Sequence, residues 1–131
     1  MVNEVKNTIK SFTDLSTWQE GHKLVVAIYR MAKGLPADEA FGLKSQMQRA
    51  AVSITSNIAE GFSRHTFADK NHFYHMAKGS LTELQNQLLV ARDVGYLETE
   101  HFNSLADQSR TTMNLLVGLI RSTAEHNRRT K

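Results

Sequence analysis

An all-α fold, an antiparallel up-and-down four-helix bundle, is what this sequence predicts. Three observations carry the prediction. Apolar residues recur every three or four positions in four successive segments. Capping and turn residues separate those segments. No stretch of strand length alternates at period two between turn residues, so no sheet is expected. The connections are short, which makes helices consecutive in sequence antiparallel neighbours.

Residues 1–13 have weak periodicity and are expected to form a mobile arm ahead of a bundle domain at 14–126. Residues 127–131 read as a basic tail. The first helix is expected from Ser16, with Gln19 at capping-box spacing. Its inward face reads Trp18, Val25, Ile28, Tyr29 and Ala32, and Gly34 and Pro36 end it. The second begins near Phe41-Gly42-Leu43 and carries the stripe Leu43, Met47, Ala50, Ala51, Ile54, Ile58 and Phe62. It frays through Ser63-Arg64-His65. Thr66, with Asp69 three residues on, opens the third, whose core face is Phe73, Tyr74, Ala77, Leu81, Leu84, Leu88 and Ala91; Gly95 stops it. The fourth follows Thr99 and turns Phe102, Leu105, Ala106, Met113, Leu116, Val117 and Ile120 inward.

A chain of 131 residues suits one domain. Hydrophobic content of 40% and charged content of 22% are globular values and argue against wholesale disorder. The absence of cysteine excludes a disulfide framework and a thiolate metal site. No apolar run has the length of a signal peptide or a membrane span, so a cytoplasmic protein off the membrane is expected. The net charge of +3 permits nucleic-acid binding without requiring it.

Several apolar residues fall off the four stripes: Leu24, Met31, Val52, Ala59, Val90, Val94 and Leu115. Apolar residues displaced from the core stripe on every helix point to a subunit interface, and a homo-oligomer is expected.

The runs Phe41-Gly42-Leu43, Arg49-Ala50-Ala51-Val52-Ser53-Ile54 and Asn57-Ile58-Ala59-Glu60-Gly61 occur in order on the second helix. Ala77-Lys78-Gly79-Ser80-Leu81-Thr82-Glu83-Leu84 and Ala91-Arg92-Asp93-Val94-Gly95-Tyr96-Leu97 follow them. Together with Trp18 and Ile28-Tyr29 they make the chain resemble the bacterial 23S rRNA intervening-sequence protein family over about Phe12 to Ala124. The resemblance implies a four-helix bundle that assembles as a ring-shaped homopentamer with no established enzymatic activity. A protein related to that family, the accessory variability determinant of diversity-generating retroelements, shares the fold and ring and binds a reverse transcriptase and nucleic acid. RNA or DNA, and a protein that processes nucleic acid, are therefore the partner classes the resemblance implies.

On the second helix Gln46, Arg49, Ser53, Asn57, Glu60 and Arg64 recur at three and four residues beside the apolar face. They read either as a network setting helix register or subunit contacts, or as a ligand or RNA site. Gly61 there either ends the helix or permits close packing. His72 and His75, with His65 nearby, supply too few ligands for zinc. Glu98 and His101 have di-iron spacing once, and no second copy exists, so neither metal nor cofactor is expected. Arg49, Arg64, Arg121, Arg128, Arg129 and Lys131 are the candidate phosphate contacts, and Glu125 alone opposes the C-terminal four. Aromatic residues are sparse around them, which argues for phosphate contacts rather than base stacking. Arg121 and His126, five apart, resemble the arginine–histidine motif of helical HEPN ribonucleases, an enzymatic alternative to a nucleic-acid-associated scaffold; a scaffold that binds protein only is the other alternative.

Overall fold

The computed structural model describes residues 8–130. Within them lie four α-helices, α1 (Ser16–Ala32), α2 (Leu43–Ser63), α3 (Phe67–Asp93) and α4 (Thr99–Arg129), and no strand. Short 3-10 turns at Phe12–Asp14 and Ala37–Glu39 precede α1 and α2. The helices close a cycle. Among the described residues α1 packs on α2, α2 on α3, α3 on α4 and α4 back on α1, and the diagonal pairs do not bring their backbones close.

Local chemistry explains the boundaries. The Thr66 Oγ1 accepts the Asp69 N–H at 3.1 Å and starts α3 as expected. Gly95, at φ +88°, ends it: the Gly95 N–H bonds Arg92 O at 3.1 Å and the Tyr96 N–H bonds Ala91 O at 2.8 Å. This is a Schellman stop, which needs a residue without Cβ strain. The start of α1 differs from expectation. Leu15 is the N-cap and Ser16 is already helical. The capping box lies one element earlier, where Ser11 and Asp14 cap the Phe12–Asp14 turn. Gln19 instead donates to Thr13 O at 2.9 Å, tying that turn to α1. Part of the expected arm is thus folded onto the bundle, while residues 1–7 lie outside the described residues. At the other end α4 continues through Arg129, so most of the expected tail is helix.

The core joins all four helices. Leu24, Ile28, Met47, Ile54, Ile58, Leu81, Leu84, Leu88 and Leu116 are almost wholly buried. Leu24 and Met31, expected at a subunit interface, belong to this core, whereas Tyr29, expected inside, is exposed. The buried face of α1 is centred on Thr17, Gly21, Leu24 and Ile28, rotated roughly 60° from the expected stripe at 100° per residue. Gly21 explains the rotation. A Cβ there would stand 3.1 Å from Thr55 Cγ2 and 3.8 Å from Thr112 Cγ2, so the helices meet at a residue with no side chain. The core face of α4 is similarly polar in composition, with Ser109, Thr112 and Thr123 buried. Each of these hydroxyls donates to a carbonyl three or four residues earlier, at 2.8, 3.1 and 2.7 Å.

One contact links the two loops that flank α2 and α4. Glu39 Oε1 accepts the Leu43 N–H at 3.0 Å, capping α2 in place of Gly42, which has no side chain to do so. Its Oε2 accepts the Tyr96 hydroxyl at 2.8 Å. The Leu43 N–H, and after it the Tyr96 hydroxyl, hold the Glu39 carboxyl below its ordinary pKa. A carboxylate whose folded pKa is depressed stabilises above its unfolded value and loses that contribution as pH falls through the folded one. Glu39→Gln is expected to melt at lower temperature than wild type near neutral pH. The gap should narrow below the ordinary glutamate range and close below Glu39's own lowered pKa. A gap that stays constant with pH in thermal melts would show that the charge is not what caps the helix.

Candidate nucleic-acid interface and helix seams

The polar stripe of α2 lies along its seam with α3. Ser53 Oγ and Ser80 Oγ are 2.9 Å apart across the seam, and the Asn57 amide donates to Ser53 O at 2.8 Å and to Ser53 Oγ at 3.1 Å. Glu60 and Arg64 pair at 2.9 Å, and the Arg64 guanidinium lies 4.5 Å over the Phe73 ring. Of these contacts the Ser53–Ser80 bond and the Arg64–Phe73 contact cross from α2 to α3, and the others lie within α2 and its C-cap. Gly61 is the point of closest approach: a Cβ there would fall 2.7 Å from Tyr74 Cε1 and 3.0 Å from Lys70 O. It permits close packing and does not end the helix. Beside it the Lys70 ammonium donates to Phe62 O at 2.6 Å and caps the α2 C-terminus. Burial holds that ammonium below the ordinary lysine pKa. Gln46, Arg49 and Glu83 line a shallow cavity of about 250 Å³ outside the same seam.

The candidate phosphate contacts lie on two helices, and Phe67, just after Arg64, stacks on His126 near the end of α4. Arg49 stands in the second turn of α2, while Arg64 follows its last turn. Arg121, Arg128 and Arg129 occupy the last three turns of α4, exposed and without an ion pair among the described residues. Arg121 and Arg128, two turns apart, share one helix face, and Glu125 lies between them. Lys131 lies outside the described residues. His126 stacks on Phe67 with ring centroids 5.4 Å apart. Five residues of helix turn it about 140° from Arg121, so the two side chains leave α4 in different directions. His65, His72 and His75 are exposed, and no three histidine, aspartate or glutamate side chains converge among the described residues.

Of the residues expected at a subunit interface, Val52, Val90 and Val94 are exposed, at 39%, 42% and 57%. Ala59 and Leu115 are half-buried within the single chain. Leu115 O also accepts the Thr17 hydroxyl at 3.4 Å. Met76, two heptads before Val90 on α3, is exposed as well and was not singled out by the sequence pattern.

The sequence pattern also misses a cavity of about 320 Å³ between α3 and α4. Arg92 and Arg110 border it, and the Arg92 guanidinium lies 4.7 Å over the Phe102 ring. Leu88, Leu89 and Ala106 supply apolar wall, and the Gln85 amide donates to Ser109 Oγ at 3.3 Å.

The family model for the 23S rRNA-intervening sequence protein matches residues 13–118, most of the bundle. The chain belongs to this family. Among solved structures, a protein of unknown function from the S23 ribosomal protein family of Bacteroides thetaiotaomicron is similar in fold. The two share 23% identity and a TM-score of 0.75, over 79% of this chain and 97% of that one. No curated protein matches the sequence. The family match takes in the α2–α3 seam, Arg49, Arg64 and the α3–α4 cavity. It stops before Arg121, Arg128 and Arg129, so the basic end of α4 is not carried over from the family. None of the described helices is long and apolar enough to cross a membrane.

Proposed function

We propose that this member of the 23S rRNA-intervening sequence protein family is a non-enzymatic, cytoplasmic oligomeric scaffold that associates with nucleic acid, RNA foremost. The observation that carries the reading is the end of α4, where Arg121, Arg128 and Arg129 stand exposed with no carboxylate paired to them among the described residues. Free guanidiniums at that spacing suit the phosphates of a nucleic-acid backbone. Arg64, whose pair with Glu60 is exposed and exchangeable, is a further candidate contact.

An antiparallel arrangement of the helices is part of the proposal. It is supported by contacts that run in opposite order along partner helices: Asn71 donates to Ile120 O, and Gln85, further along α3, reaches Ser109, earlier on α4. Oligomerisation, with a pentameric ring as the family resemblance implies, is supported by exposed Val52, Met76, Val90 and Val94 on α2 and α3. In a ring the basic helix end repeats around the axis, so a weak site per subunit gains by avidity. A nucleic-acid-processing protein is a further partner class for such a scaffold.

The test is a salt titration. A labelled RNA hairpin is expected to bind at low salt and to weaken with a linear slope in log affinity against log salt. Replacing Arg121, Arg128 and Arg129 by glutamine should flatten that slope by about two to three phosphate contacts. An unchanged slope would refute the α4 end as the interface. Cleavage of the RNA that disappears in His126→Ala would refute the non-enzymatic reading.

A further inference from the structure

We infer that the α3–α4 cavity is a binding site for a nucleoside monophosphate. The inference goes beyond the nucleic-acid reading and rests on different residues, near the end of α3 and the start of α4 rather than at the end of α4.

The volume of about 320 Å³ is that of a small-ligand pocket, and its chemistry is two-sided. No carboxylate lines it, and two guanidiniums do. Asp93 and Asp107 bond Arg92 and Arg110, at 2.8 and 2.6 Å, each engaging a single guanidinium nitrogen. Asp93 takes Nε of Arg92 and leaves its Nη edge free; Asp107 takes Nη1 of Arg110. All four side chains are exposed, so these pairs are weak and exchangeable. A guanidinium presents five N–H donors, so both arginines retain forks able to bind phosphate. A phosphate monoester carries about −1.5 to −2 charge near pH 7, more than the single charge of Asp93 or Asp107, and so competes with each of them for its guanidinium.

The other side of the pocket suits a flat ring. Arg92 is already ordered against Phe102, and a guanidinium so held is a surface on which a base stacks at small entropic cost. Leu88 and Leu89 give the apolar wall, and the Gln85 carboxamide, whose nitrogen already donates to Ser109 Oγ, has its oxygen left to accept from a base amino group. An apolar acid would leave the second arginine and the carboxamide unused.

The full-length protein should be titrated by calorimetry with adenosine monophosphate, adenosine and inorganic phosphate in turn, at low salt. The nucleotide is expected to bind at least about tenfold more tightly than either half, because each fragment forfeits charge-assisted hydrogen bonds or the stacked ring. Arg110→Gln, whose side chain is 65% exposed, should weaken nucleotide binding about tenfold with an unchanged melt. Arg92→Gln should also weaken nucleotide binding about tenfold, with a somewhat lower melt because its contact with the Phe102 ring is lost. The triple substitution at Arg121, Arg128 and Arg129 should leave it unchanged, which separates this site from the proposed RNA interface. Nucleotide binding no tighter than that of phosphate alone, or insensitive to Arg110→Gln, would overturn the inference.

Discussion

Ile54→Asp is expected to abolish cooperative folding. Ile54 is completely buried in the middle of α2, among residues from the other helices. An aspartate there has no partner within the core, so it must either unfold its surroundings or accept a proton. Keeping a carboxyl of ordinary pKa neutral at pH 7 costs on the order of 4 kcal/mol. The loss of the buried aliphatic side chain adds about 2–5 kcal/mol. Together these rival the whole stability of a typical domain, about 5–15 kcal/mol. Lowering the pH toward 4 removes the protonation cost and should restore part of the helical signal. Ile54→Val, by contrast, should cost only about 0.5–1.5 kcal/mol. A circular-dichroism melt of the aspartate variant that matches wild type would refute the placement of Ile54 in the core.

The second large effect is at Gly61. Alanine normally gains about 1 kcal/mol over glycine inside a helix. At Gly61 the added methyl would meet the Tyr74 ring at 2.7 Å and the Lys70 carbonyl at 3.0 Å. The ring can tilt, but the carbonyl belongs to α3 itself, so the two helices must separate. Gly61→Ala is expected to lose about 1–3 kcal/mol net, and Gly61→Leu to break the seam altogether, with the Lys70 bond to Phe62 O lost as well. Gly118, also helical, has open space where its Cβ would stand, and Gly118→Ala should raise the melting temperature slightly. Thermal melts of the two alanine variants moving in opposite directions are the expected result. Equal gains would mean that α2 and α3 are less closely packed than described.

These two sites also mark how much the amino-acid order discloses. The stripe of α2 was legible because Met47, Ala50, Ala51, Ile54 and Ile58 are both apolar and buried. The stripe of α1 was not. The centre of its buried face is Thr17 and Gly21, which carry no hydrophobic signal, so the apolar pattern points instead toward Trp18, Val25 and exposed Tyr29. On α4 the buried hydroxyls of Ser109, Thr112 and Thr123 are satisfied by their own helix, an arrangement that hydropathy alone does not register. The Glu60–Arg64 pair follows from helical spacing. The Ser53–Ser80 contact requires knowing how α3 lies on α2. Arg92 and Arg110 belong to different helices and no motif connects them; only the packing of α3 on α4 places both at one cavity. Family membership disclosed the fold early, yet its match ends before the arginines on which the proposed function rests.

The cyclic order of packing also has a kinetic side. Three of the four seams join helices adjacent in the chain, and only the seam between α1 and α4 closes across nearly its full length. Neighbouring helices zip with little loop-closure entropy, whereas the α1–α4 seam must wait for the rest to form. Its described side-chain hydrogen bond, from Thr17 to Leu115 O, is long at 3.4 Å. Native-state hydrogen exchange should accordingly begin with α1 lifting from α4, leaving the α2–α3 pair as the slowest-exchanging unit of the molecule.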